Sequence, residues 1–444
     1  MKSSYRSCIF FFLLFSMPLV GFAQSDFWSE VSEFHQGLRS LNEKDIKPIQ
    51  YKTYQLDVQS FENQLKKAPI EFTRRGSNNP LTLSIPTPQG EFLEFRLVKS
   101  PVMAEKLAEK YPEILTFSGR DATGTIHGRF DITPHGFHAI IFHPEGTYYI
   151  NPYNRNTRDY YLVYGVENNF SEENSFPFEC GVSGHDHDIS DFSEQLHRGS
   201  ASASYRSSVQ TQSLLTYRFA VAATGRYTQW HGGTVELGLS AVVTAVNRVN
   251  SIFEREIGVR FLLVEDNDQI IFTDPNEDGY NDDNPGQMFN HNIDVLDDFI
   301  GRNNFDIGHV LGRSTQAPSG AGIAGLGVVC TGIKARGAST HQNPFNDPFI
   351  LAVFCHEVGH QFNANHTMYS CHNVNPGTAY EPGSGSTIMS YAGICASGNN
   401  LQNFPHPQFH ANSLEAMTLF SREGGGNDCA VELPTDNIPP QVEL

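Results

Sequence analysis

The chain has 444 residues, too many for one small hydrophobic core and enough for two or three folding units. Asp and Glu outnumber Lys and Arg by 49 to 30, so the surface repels polyanions and excludes nucleic acid as a partner.

Lys2 and Arg6 precede the apolar run CIFFFLLFSMPLVGF, which is short for a bilayer span, and small residues around Ala23 precede Gln24. Residues 1–23 therefore read as a secretory signal peptide and the mature protein as secreted, with no later run apolar enough for a membrane span. Export leaves Cys180, Cys330, Cys355, Cys371, Cys395 and Cys429 in an oxidising compartment where disulfides persist, with their pairing open.

Residues 24 to about 70 are polar and mixed, predicting helical stretches at most. From about Pro80 to Tyr164, runs such as FLEFRLV, GTIHGRFDI, FHAIIFH and DYYLVYGV alternate with Gly, Pro and Asn and predict strands. One helix, in PVMAEKLAEKYP, interrupts them. The reading is a β-rich first domain over residues 24–182. Residues 183–212 lack apolar periodicity and carry a Ser/Ala/Gly-rich stretch around Arg198 and Arg206, so they read as an exposed linker open to proteolysis.

Residues 213–432 change texture. LTYRFAVAA (215–223), VRFLLV (259–264), QIIF (269–272) and DIGHVLG (306–312) predict strands. Val235, Leu239, Val242, Val246, Val249 and Phe253 mark one face of a long amphipathic helix. IDVLDDFIG (293–301) predicts a short helix closed by Gly301, PFILAVFCHEVGHQF (348–362) an apolar helix, and NSLEAMTLF (412–420) a last one. Strands alternating with helices imply an α/β fold with a mostly parallel sheet. Residues 433–444, ending PTDNIPPQVEL, read as a linker toward a further domain.

The stretch HEVGHQFNANH, 356–366, carries the chemistry. His356 and His360 stand one helical turn apart on one face, with Glu357 beside them. A catalytic zinc takes three protein ligands, keeps a position for water and needs a carboxylate to receive the water's proton. His356 and His360 are two ligands and Glu357 the base. His366 is a third if the chain turns sharply after His360, and Asn363 suits that turn because asparagine tolerates positive φ.

These residues resemble the signature of the metzincin metallopeptidases, HExxHxxGxxH followed by a methionine turn, with Asn363 in place of the glycine. STIMSYAG sets Met389 23 residues after His366, and the resemblance implies a turn beneath the metal there. Tyr391 matches a tyrosine that some branches use as an extra ligand or oxyanion donor. YRFAVAATGRYTQWHGG, GIAGLGVVC, KARG and YEPGSGSTIMSYAGIC are similar to the reprolysin or adamalysin-like branch, in particular its secreted bacterial members, over about 215–430. The resemblance implies a metzincin-like catalytic domain with a mixed, mostly parallel sheet. It implies a zinc endopeptidase acting on protein or peptide substrates, with extended substrate held on an edge strand at 322–330. It further implies a latent zymogen: residues 24–182 as propeptide, Cys180 in FECGVSG as a zinc ligand that blocks the site, and an activating protease that cuts the linker. Disulfides Cys330–Cys429 and Cys371–Cys395 complete the resemblance and leave Cys355 free in the apolar helix.

A second metal rests on DPNEDGYNDD, 274–283. Asp274, Asn276, Asp278 and Gly279 follow the first half of an EF-hand loop, but Pro285 stands where the closing glutamate belongs. Calcium and a solvated acidic turn are both open. Two rival functions remain. One is a zinc peptidase with Glu415 as third ligand, which His366 and Met389 oppose. The other is a non-catalytic zinc-binding adhesion or binding protein, which Glu357 opposes because a structural site has no use for a base.

Overall fold

The computed structural model describes residues 27–41, 43–166, 179–182, 213–316, 320–395 and 398–435. The expected signal segment and the 183–212 linker lie outside them.

The N-terminal unit is a nine-stranded antiparallel sheet. Its strands are β1 (Trp28–Glu30), β2 (Lys52–Leu56), β3 (Leu81–Pro86), β4 (Phe92–Lys99), β5 (Leu115–Arg120), β6 (His127–Thr133), β7 (Gly136–His143), β8 (Gly146–Pro152) and β9 (Tyr160–Gly165). From β3 to β9 the chain meanders through adjacent strands, and β2 then pairs with β9 and β1 with β2. Residues 24–70 thus supply two strands where helices alone were expected. Tyr54 and Leu56 alternate inward there, a pattern too short to stand out in a polar sequence. The two faces of β7 to β9 are both apolar. Phe137, Ala139, Ile141, Ile150, Tyr161 and Val163 enter a core with Trp28 and Phe61, while Ile140, Phe142, Tyr149, Leu162 and Tyr164 enter a core shared with the rest of the chain.

The C-terminal unit has a mixed sheet: β10 (Glu179–Cys180), β11 (Ser213–Ala223), β12 (Val259–Leu263), β13 (Ile307–Gly312), β14 (Gly320–Ala324), β15 (Gly337–His341) and β16 (Val431–Pro434). Strands β12, β11, β13 and β15 are parallel, β14 joins β15 antiparallel, and β16 pairs antiparallel with the start of β11, carrying the sheet two residues past the expected boundary at 432. Along β11, Tyr217, Phe219 and Val221 face the long helix Val235–Ile257, and Ala220 and Ala222 face the helix Pro285–Phe299.

Three local expectations are corrected. QIIF is not a strand, because the Asn267 side chain bonds both the N–H and the carbonyl of Val221, at 2.9 and 3.0 Å, where a strand's main chain would sit. Only Ile271 bridges to β11. The helix expected at 293–301 begins at Pro285, with Asn284 capping Gln287 N–H; the proline that breaks the EF-hand pattern is a helix-starting residue. The edge strand expected at 322–330 is Gly320–Ala324, and the chain then turns, with Gly327 at φ +62°.

The long helix is capped by Thr234 and ends at Gly258, φ +63°. Seventeen of its 23 residues are buried, more than one amphipathic face provides, because the N-terminal sheet covers its polar side. That contact is built of matched polar groups. Thr244 and Asn247 donate to Asp131 at 2.8 and 3.1 Å, and Arg248 donates to Asn151 at 3.1 Å and to Asp347 at 2.8 Å. The N-terminal unit also adds main chain to both edges of the second sheet. Leu263 N–H donates to Val102 O at 2.7 Å beside β12, and β10 lies along β14.

Asp347→Ala strips the buried Arg248 of its carboxylate, so urea unfolding should show a loss of about 3–5 kcal/mol, whereas Lys47→Ala, at an exposed ion pair, should change stability by less than about 0.5 kcal/mol. His135 and His231 sit 5.7 Å apart between the units, and burial lowers their pKa values to about 4 and about 3 from 6.5. A folded pKa below the unfolded one means stability present above pH 6.5 and lost as pH falls toward those values. Between pH 7.5 and 4.5 each should cost about 2–3 kcal/mol, and His231→Gln should flatten the fall in a urea series.

Candidate metal centre

The helix that carries the histidines is assembled in three pieces: Asn346–Phe349, a π-helical stretch Ile350–Cys355, and His356–Gln361. Its end is fixed by Gln361, whose amide donates to Gly308 O at 2.9 Å and whose oxygen faces His309 Nδ1 at 3.0 Å. Asn363 then takes φ +73°, Ala364 N–H returns to Gly359 O at 3.0 Å, and the chain doubles back so that His366 meets the other two histidines.

His360 Nε2 lies 3.1 Å from His356 Nε2, 3.1 Å from His366 Nε2 and 3.5 Å from Cys180 Sγ. The four ligand atoms all fall within 4.8 Å of one another, and all four residues are buried. Each ring's far nitrogen faces a main-chain carbonyl: His356 Nδ1 to Ile388 O at 2.7 Å, His360 Nδ1 to Ala364 O at 2.7 Å, and His366 Nδ1 to Asn373 O at 3.0 Å. A carbonyl only accepts, so Nδ1 carries the proton in each ring and Nε2 presents a lone pair. Burial lowers the pKa of His356 to about 4 and of His366 to about 3, and burial with the two neighbouring rings holds His360 well below its ordinary value. Three neutral nitrogens thus point lone pairs at one point with no proton to share, an arrangement that a cation satisfies. A set of three imidazoles and a thiol matches tetrahedral zinc.

Glu357 is fully buried, and neither carboxylate oxygen has a hydrogen-bond partner among the described residues. Burial pushes its pKa well above the ordinary glutamate value, and the nearby Cys180 thiol opposes this only in part. Burial likewise raises the Cys180 thiol, with the Glu357 charge adding to it. Gly322 of β14 makes room for Glu357: a Cβ there would sit 2.3 Å from Oε1. Gly359 does the same for Met389, whose sulfur would lie 2.5 Å from an added Cβ, so Met389 packs directly under the histidine helix. Tyr391 is buried, its ring 4.8 Å from that of His366, and burial raises its hydroxyl pKa.

The sequence reading thus converges on one site for His356, Glu357, His360, His366, Met389, Tyr391 and Cys180. Cys330 pairs with Cys429 and Cys371 with Cys395, while Cys180 and Cys355 are free and buried. Glu415 is exposed on the Ala411–Arg422 helix, outside the ligand group. In the 274–283 loop, carboxylates turn to protein donors: Asp278 accepts from Gly225 and Tyr280 N–H, and the neighbouring Asp282 from Thr224 and Arg313.

Other residues of the site have no sequence motif. Asn373, at φ +58°, offers its carbonyl to His366. Glu381 accepts from Thr367, Ser386 and Thr387 and so ties the methionine turn to the segment after His366. Gly359 and Gly322 could have been flagged only as small residues within the motif and in the edge strand.

The family model described as Metallo-peptidase family M12B Reprolysin-like matches residues 213–417. Among solved structures the chain is similar to metalloproteinase-II from Bacteroides fragilis, at 10% identity and a TM-score of 0.44, covering 82% of this chain and 96% of that one. No curated protein matches the chain.

The full chain should bind one zinc, measured by atomic emission on gel-filtered protein. His366→Ala should weaken zinc binding at least about 100-fold, because two imidazoles and a thiol no longer enclose the ion. Asn363→Gly should keep it, since glycine adopts the same backbone, while Asn363→Val should lose about 1–3 kcal/mol of stability.

Proposed function

From the premise that residues 213–417 belong to the reprolysin-like M12B metallopeptidases and that the protein is a zinc metalloendopeptidase, we propose that it is made as a latent, exported zymogen that cleaves proteins once residues 24–182 are removed. The observation that carries this reading is the convergence of three imidazole nitrogens and the Cys180 sulfur beside the buried Glu357 carboxyl. His356, His360 and His366 would hold zinc throughout. With Cys180 in place the set has four protein donors, as a closed site does; its departure opens one position. When bound, zinc supplies a Lewis acid that acidifies water and polarises the substrate carbonyl.

The chain's own residues do the rest. Glu357 takes the proton of the attacking water and returns it to the leaving amine. Tyr391 donates its hydroxyl to the developing oxyanion, and Met389 packs under the ligands. Extended substrate lies along β14, the position that residues 179–182 hold in the intact chain, with Gly181 N–H donating to Gly322 O at 2.8 Å. Two disulfides support an oxidising destination. The non-catalytic binding-protein reading has the four-donor set in its favour, and Glu357 opposes it, because a closed structural site has no use for a buried carboxyl beside the ligands.

Casein hydrolysis should be absent in the intact chain and appear after the 183–212 linker is cut and residues 24–182 are cleared. Glu357→Gln should lower kcat at least about 100-fold while keeping zinc. A zinc-loaded, cleared wild-type enzyme with no activity would overturn the proposal.

A further inference from the structure

Residues 179–182 are held from two sides. On one edge Gly181 N–H donates to Gly322 O of β14. In a parallel ladder the groups of successive residues alternate between edges, so the Cys180 carbonyl turns away from β14. It meets Asn373, whose Nδ2 donates to it at 2.9 Å. The same amide nitrogen lies 3.3 Å from the Tyr391 hydroxyl, and the main-chain carbonyl of Asn373 accepts from His366 Nδ1. Asn373 therefore touches a zinc-ligand histidine, the tyrosine and the bound strand at once. Its loop is anchored by the Cys371–Cys395 disulfide, and its φ of +58° is one that asparagine adopts readily and most residues do not.

We propose that Asn373 is a substrate-binding residue, the main-chain donor on the edge opposite β14 that clamps whatever strand lies across the centre. In the intact chain that strand is 179–182; resting on the peptidase reading above, in the activated enzyme it is the substrate. Any extended peptide on β14 presents alternate carbonyls away from it, so the contact asks for no particular side chain.

The backbone role and the side-chain role separate by mutation. Asn373→Gly keeps the positive φ and the carbonyl that holds His366 while deleting the amide; Asn373→Asp keeps the backbone preference and the shape but replaces the donor with an acceptor. In the full zinc-loaded chain, alkylation of Cys180, read by mass spectrometry with buried Cys355 as internal control, reports opening of the 179–182 strand. Loss of one hydrogen bond should speed it about 5- to 10-fold in Asn373→Gly, and more in Asn373→Asp. After activation KM for a peptide should rise by a similar factor with kcat within about twofold, zinc staying at one per chain. Cys180 alkylation and KM both within twofold of wild type would overturn the proposal, as would zinc loss in Asn373→Gly, which would make Asn373 a support for His366 only. If activated wild type cleaves no peptide, the peptidase reading falls, and the alkylation ratio alone decides whether Asn373 clamps the strand.

Discussion

Each imidazole of the centre gives its Nδ1–H to a main-chain carbonyl, and the chemistry of the site follows from that choice. The bond selects the tautomer, turns the ring and leaves Nε2 as the only outward acceptor. The three carbonyls come from three places: Ala364 from the turn after the helix, Ile388 from the stretch beside Met389, and Asn373 from the loop bounded by the Cys371–Cys395 disulfide. Folding the segment from 362 to 395 is therefore the same event as orienting the ligands. Glu381, satisfied by Thr367, Ser386 and Thr387, binds the pieces of that segment together, and its carboxyl is held below the ordinary glutamate value by those bonds even against its burial.

The N-terminal unit acts on the same geometry from outside. It supplies main chain to both edges of the catalytic sheet, at Val102–Ala104 beside β12 and at residues 179–180 beside β14, and it covers the polar side of the long helix. At the centre it contributes Cys180, whose sulfur lies 3.5 Å from His360 Nε2 in the buried group that could hold a metal ion. Along the long helix, paired polar side chains join the shared apolar core and make the contact specific.

Much of the site was legible in the sequence because helical spacing is a geometric statement: residues four apart share a face, so His356 and His360 needed only a turn at Asn363 to meet His366. The family resemblance carried Met389, Tyr391 and Cys180 to positions that the fold brings together. What stayed hidden was long-range. Asn373 acts through its carbonyl and its amide, and no motif marks a residue used for its main chain. The buried polar face of the long helix reads as a solvent face until the N-terminal sheet is placed on it. QIIF reads as a strand from its short β-branched run, but the side chain of Asn267 takes the place of strand pairing, and Trp28–Glu30 and Lys52–Leu56 were too short for their alternation to rise above polar surroundings.

X-ray absorption at the zinc edge of the intact, zinc-loaded chain tests the central claim most directly. Three nitrogens at about 2.0 Å and one sulfur at about 2.3 Å, with the sulfur lost when residues 24–182 are cleared, is the result predicted by a site of His356, His360, His366 and Cys180. A first shell of nitrogen and oxygen alone in the intact chain would contradict it.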